Sequence, residues 1–419
     1  MSGGGLCDIC HMHPPTQNPP ENPLKTTLKG LFISCTVMAA AACTPNPISS
    51  SITAVADAMV DSKLPIDSLN LPPGFTIEVL SDEVPNARQM ALTDGGTLIV
   101  GTRREGKVYA LPNALSETPG AVVTLKEDLF MPSGIAVRNG DLYIGAVNSV
   151  LRVSDIDNNL QADPAHKVIT DALPDETHHG WKYLKFGPDG YLYVPVGAPC
   201  NICLSEDPRF ATILQMDAAT GSTSIWAHGV RNSVGFDWHP KTKELWFSDN
   251  GRDWMGDDVP PEELNIAATP GKHFGYPFRH GLDIDDPEFG NNPARPSEPT
   301  EPPTVMIQAH SAALGMTFYT NNQFPADYQG ALFVAEHGSW NRSEPVGYRV
   351  VVVTFGEDGI PLYTPFIEGW LPPAGDGERT PWGRPNDVLV APDGSLLISD
   401  DGAGAIYRVS FQGEQTAAR

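Results

Sequence analysis

Basic side chains are scarce in this 419-residue sequence: 27 lysines and arginines stand against 51 aspartates and glutamates, a formal net charge of −24. A chain so acidic is poorly suited to tracking a phosphate backbone, which argues against a nucleic-acid partner. Charged residues of both signs make up only 19%, while glycine and proline number 40 each, a balance that suits many turns better than many helices. Cysteine is rare too, with six in all. No second C-x-x-C follows the pair at Cys200 and Cys203, so a complete structural zinc site is excluded there. Long apolar runs are missing apart from LKTTLKGLFISCTVMAAAAC at 24–43, which is too short to span a membrane comfortably.

That run has the shape of an export signal: Lys25 and Lys29, an apolar stretch, then small residues. Its end, Ala40-Ala41-Ala42-Cys43, resembles a bacterial lipobox, with Cys43 as a lipidated N-terminus and an ordinary secretory signal or retained anchor as the alternatives. Residues 1–43 therefore read as leader and signal, 44–70 as a flexible Ser/Pro/Ala-rich tether, 71–412 as the folded domain and 413–419 as a tail. The expected location is the periplasm or cell envelope. Cys7-Asp8-Ile9-Cys10-His11 matches the haem c attachment pattern, but it precedes the signal, on the side of the membrane where such attachment does not occur. Haem is rejected. In an exported chain Cys200 and Cys203 are expected to close as a small disulfide, with a zinc half-site or a redox pair as the other readings.

From Leu71 onward one pattern recurs: a strand, a Gly/Asp/Asn turn, a β-branched strand, a loop and a final strand. The copies begin near 90, 134, 183, 235, 315 and 388. Period-2 alternation excludes amphipathic helices in these runs. Six copies, about 45–50 residues apart where insertions are absent, predict an all-β six-bladed propeller with loop insertions. The longest insertion is read as 253–301. Asp257, Asp258, Glu262 and Glu263 within it are taken as a solvated acidic loop, with a second Ca²⁺ as the alternative.

Propellers gather function at one end of the channel, so unusual polar residues in matching loops matter. Arg103 follows the inner strands of the first copy, and His178-His179 precedes the third. Arg231-Asn232 precedes the fourth, and Gly251-Arg252 follows its second strand. Arg342 follows the second strand of the fifth, and Arg384 precedes the sixth. Clustered guanidinium groups in an acidic protein imply a polyanionic ligand, whereas any single one of them is read as a surface salt bridge.

Four long stretches carry a resemblance: THHGWKYLKFGPDGYLYVPVGAPCNIC, HGVRNSVGFDWHP, FSDNGRDWMGDDVPPEELN and AEHGSWNRSEPVGYRV. Over about 71–411 the chain resembles the soluble sugar dehydrogenases dependent on pyrroloquinoline quinone (PQQ), most closely their glucose/sorbosone branch. The resemblance implies that His179 is the catalytic base, with His178 orienting substrate. It places Arg231 and Asn232 beside the quinone, and Gly251 and Arg252 as carbonyl ligands of a catalytic Ca²⁺. Arg384 matches a ligand of a cofactor carboxylate. Arg342 falls near a lysine of the glucose dehydrogenases, and Asn386 replaces a second arginine. Arg103 is added as a cofactor contact on its loop position alone.

The expected activity is oxidation of an aldose or a sorbosone-like aldehyde, with electrons leaving to a separate acceptor, a quinone or cytochrome. PQQ carries three carboxylates, which suits the arginines, and Ca²⁺ prefers oxygen ligands. Trp181 and Trp340 are read first as packing residues and second as walls of the sugar site. The competing readings are a Ca²⁺-dependent lactonase-like hydrolase, which needs acidic and amide side chains on the metal, and an NHL-like binding propeller, which leaves the arginines unexplained.

Overall fold

The computed structural model describes residues 62–413, apart from 357 and 376–378. The leader with Cys43, the tether as far as residue 61 and the tail beyond 413 lie outside them.

A short turn repeated around the chain builds the blades. Thr93 N–H donates to Thr97 O at 2.9 Å, Gly187 N–H to Tyr191 O at 2.8 Å, and Ala391 N–H to Ser395 O at 2.8 Å. Gly190 and Gly394 occupy the same left-handed position, both with φ 91°, which a side chain resists. Each turn returns an inner strand antiparallel onto a second strand, and two further strands complete a blade.

Among the described residues six blades result, five of them four-stranded sheets and the third a sheet of five. Blade one runs from Ala87–Leu92 to Val123–Lys126 and blade two from Gly134–Arg138 to Lys167–Thr170. Blade three runs from Lys185–Phe186 to Thr223–His228, blade four from Phe236–Trp238 to Val305–Ile307, and blade five from Ala313–Phe318 to Pro361–Ile367. Blade six takes Pro385–Val390, Leu396–Asp400 and Ala405–Phe411 from the end of the domain and its outer strand, Phe75–Ser81, from the beginning. That antiparallel pairing closes the ring. Upstream of it, Leu64 and Ile66 pack on the blade five–six core and Asn70 bridges to Glu368, so packing extends into part of the segment read as tether.

The buried apolar residues form six clusters, one at each blade–blade interface. Face-to-face packing of twisted sheets is thus repeated around the circle, and the six-bladed reading holds. Polar side chains tie the inner strands across the axis. Gln89 of blade one donates to Leu184 O at 2.6 Å and accepts from Ile135 and Leu184 N–H at 2.8 Å each, joining three blades. Asp387 of blade six accepts from Met90 N–H at 2.8 Å and from the Tyr183 hydroxyl at 3.3 Å. Gly315 lies so close that a Cβ there would sit 2.1 Å from Asp387 Oδ1.

The insertion differs from expectation. Glu262–Ala267 is the third strand of blade four, and Glu262 and Glu263 are buried, at 3% and 8% exposure, so they are no solvated loop. Their acidic pair disguised a core strand. The insertion proper follows it, between Ala267 and Val305, and its Lys272–His273 adds a parallel strand to blade three.

Candidate active site

Where inner strands begin and second strands end, the loops of several blades surround a cavity of about 540 Å³. His178, His179, Arg103, Arg231, Asn232, Gly251 and Arg384 all line it, so the structure gathers most of the residues singled out by sequence. Arg252 and Arg342 point elsewhere. The Arg252 guanidinium pairs with Asp286 at 2.7 Å and Glu288 at 2.9 Å in the insertion. Arg342 donates to the Asp257 carbonyl and, at 2.7 Å, to Asp258, holding the 253–258 loop against blade five. Their positions were legible, but not the direction of their side chains.

His179 is 9% exposed and sits in a left-handed turn at φ 52°. Its Nδ1 lies 2.9 Å from the Ala198 carbonyl. A carbonyl only accepts, so Nδ1 carries the proton and Nε2 keeps its lone pair. Burial first, then the Arg231 and His178 charges, holds this imidazole well below its ordinary value. Gly197 makes room: a Cβ there would stand 2.5 Å from His179 Cβ.

Arg231 is 4% exposed. Its Nε donates to Asn201 O at 2.9 Å, Nη1 to Asn250 O at 3.1 Å, and Nη2 to Asn201 Oδ1 at 2.8 Å and Asp253 at 3.3 Å. One Nη1–H is left without an acceptor among the described residues. Asp249 receives the Arg231 and Asn232 N–H groups at 2.9 and 2.7 Å, and burial pushes its carboxyl up to about 7.

The opposite wall is cationic. Arg103 lies over the Trp181 ring at 3.7 Å, and its buried Nε has no hydrogen-bond partner among the described residues. Among the described residues it has no carboxylate partner. Burial, with repulsion from Arg88, Arg104 and Arg384, pushes it down to about 10. The Arg384 guanidinium donates to the carbonyls of His337 at 3.1 Å and Gly338 at 2.8 Å and faces the Tyr348 ring. Arg88, 4% exposed, was missed in the sequence because it stands just before Met90, where the first repeat becomes recognisable. It pairs with Asp401 at 2.8 Å, and Asp401 also takes His337 Nε2 at 2.7 Å. Burial pushes His337 down to about 4.

Gly251 closes the cavity beside Glu262, whose Oε2 takes the Gly251 N–H at 2.8 Å. Among the described residues no group of three or more His, Cys, Asp or Glu converges on a metal position. The Gly251 and Arg252 carbonyls receive no hydrogen bond from the described residues. Trp340, against the packing expectation, is 66% exposed and lines the mouth, edge-on to the equally exposed Trp254 at 5.3 Å. Cys200 and Cys203 form the expected disulfide.

Comparisons agree with this architecture. Residues 143–339 match the family described as glucose/sorbosone dehydrogenase, and 284–412 one described as TrAA12-like. An uncharacterized protein of Borreliella burgdorferi is 32% identical over 376 residues, covering 87% of this chain and 94% of that one. The PQQ domain of Coprinopsis cinerea pyranose dehydrogenase, in its holo form, superposes with a TM-score of 0.66 at 18% identity, covering 82% of this chain and 97% of that one. A calcium structure of a Trichoderma reesei carbohydrate-active enzyme of family AA12 gives 0.63 at 22% identity, covering 82% and 97%. Repeats, ring closure, the arginine-lined cavity and the 143–339 match converge on one conclusion: the chain belongs to the glucose/sorbosone dehydrogenase family.

Proposed function

We propose that the chain oxidises an aldose, or a sugar-derived aldehyde of the sorbosone kind, with PQQ as hydride acceptor and Ca²⁺ beside it. One observation carries this reading: an unprotonated His179 Nε2 shares a cavity with Arg103, a cation without a carboxylate partner among the described residues. A tricarboxylate answers the second need and a sugar hydroxyl the first.

Arg103, Arg384 and Arg88 fit the carboxylates, since orphaned Nε–H groups on Arg88 and Arg103 want an acceptor. The donor-free carbonyls of Gly251 and Arg252 suit a hard cation such as Ca²⁺. Bound there, quinone and metal supply a polarised carbon that accepts hydride. The protein's own residues do the rest. His179 Nε2 removes the proton of the anomeric hydroxyl, or of a hydroxyl of the hydrated aldehyde, as the C–H bond breaks. The spare Nη1–H of Arg231 meets negative charge as it develops, from a guanidinium already fixed in place. His178 and Trp340 border the opening through which the sugar enters.

In this reading electrons leave to a separate acceptor, a quinone or cytochrome, and the signal-like 24–43 run supports a location at the cell envelope, with Cys43 as the candidate lipid anchor. The test is reconstitution with PQQ and Ca²⁺ followed by dye-linked oxidation of a panel of sugars and sugar aldehydes. Turnover with a change in quinone absorbance is expected. Absence of both removes the proposal.

A further inference from the structure

The turn closed by Cys200 and Cys203 has little to offer global stability. The cysteines are three residues apart, and so small a loop removes little entropy from the unfolded chain. Its contents explain it better. Asn201, inside the turn, accepts two of the four hydrogen bonds that hold the Arg231 guanidinium, its carbonyl from Nε at 2.9 Å and its Oδ1 from Nη2 at 2.8 Å. The same Oδ1 accepts from Asp253 N–H at 2.8 Å, and Nδ2 donates to Asp253 O at 3.1 Å. The Tyr276 hydroxyl, brought in by the insertion, accepts the Cys203 N–H at 3.0 Å and lies 3.4 Å from Cys200 Sγ.

We propose that Asn201 is a positioning residue for Arg231, and that the Cys200–Cys203 disulfide exists to present it. Guanidinium is planar and its donors form a fixed fork, so acceptors at Nε and Nη2 together set the plane of the group. Setting that plane aims the one unspent Nη1–H. Backbone carbonyl and side-chain oxygen of one residue can match the fork only if the chain around them is bent tightly, and the disulfide supplies the bend. The catalytic consequence rests on the role proposed for Arg231; the positioning itself does not.

The test therefore has an arm that needs no turnover. Full-length protein is treated with phenylglyoxal and modified arginines are mapped by mass spectrometry. Arg231 is expected to be spared in the wild type. It should be modified several-fold faster in Asn201→Ala and in the double variant Cys200→Ser/Cys203→Ser. Arg252 should stay as protected as before. If Arg231 remains protected in both variants, or if Arg252 becomes reactive in step with it, positioning by this turn is wrong. In protein loaded with PQQ and Ca²⁺, Asn201→Ala should lower kcat by up to about 10²-fold with KM nearly unchanged, as expected for a misaimed catalytic group. A higher KM at unchanged kcat overturns the proposal. A wild type that shows no turnover sinks the proposed function, and the mapping arm then decides the positioning alone.

Discussion

His179 donates from Nδ1 to the Ala198 carbonyl at 2.9 Å, and this one contact decides which ring nitrogen faces the chemistry. The two residues are brought together by the sharp turn before blade three and by the loop after its second strand. With Nδ1 committed, the base can only be Nε2. Removing it should stop proton abstraction without emptying the site. His179→Ala is expected to lower kcat by about 10²–10⁴-fold, the usual contribution of a general base, with PQQ affinity retained. Steady-state kinetics beside a cofactor titration checks both halves; turnover near the wild-type rate shows that the base lies elsewhere.

Gly197 offers a subtler handle on the same group. A Cβ there would collide with His179 Cβ at 2.5 Å and with its carbonyl oxygen at 2.9 Å. Both are held by the turn, so the histidine must shift rather than the methyl. Gly197→Ala should leave the β-sheet circular dichroism spectrum unchanged and cut kcat by about 10²-fold, as a displacement near 1 Å does. A loss of secondary structure in step with activity would show instead that the glycine is needed for folding.

The scaffold was more legible in the sequence than the site. Turns such as Gly187-Pro188-Asp189-Gly190 are local chemistry, and they recur, so blades could be counted. The pairing of Phe75–Ser81 with Ala405–Phe411 joins the two ends of the domain, and nothing local announces it. Arg88 went unseen because an arginine at the head of an apolar strand resembles a flank, and its use depends on Asp401, more than 300 residues later. Glu262 and Glu263 looked like loop residues because buried carboxylates are the exception. Arg342 lay in the right motif, yet its fate was set by Asp257 and Asp258 on a loop whose path the sequence did not reveal.

That difference separates the arginines experimentally. The Arg103 and Arg384 guanidinium groups face the cavity without carboxylate partners among the described residues, so replacing either with alanine should weaken PQQ binding by about 10-fold or more, the worth of one or two charge-assisted hydrogen bonds. Arg342→Ala should change PQQ affinity less than either, because its guanidinium is spent on the 253–258 loop. Equilibrium titration of the apo protein with PQQ ranks the three. Arg342 ranking with the other two would restore it as a direct cofactor ligand.

Glu263 connects the buried acids to stability. Its Oε1 accepts from Gly281 N–H at 2.7 Å and Oε2 from Asn265 at 3.0 Å, yet burial, helped by Asp249, pushes the carboxyl up to about 8. The unfolded chain ionises this group near 4.3, so between the two values the folded state holds a proton that the unfolded state has lost. Stability is then fully present below the unfolded value and drains away as pH rises, levelling off above about 8. Glu263→Gln keeps an acceptor for Gly281 and carries no charge to bury. Its melting temperature should equal that of the wild type near pH 4.5, exceed it increasingly towards pH 8, and hold a constant advantage beyond. The advantage should reach a few kcal/mol at most, since buried charges relax partly by admitting water. Thermal unfolding of both proteins across that range checks the slope, and a difference independent of pH would mean that Glu263 is already ionised in the folded protein at pH 4.5.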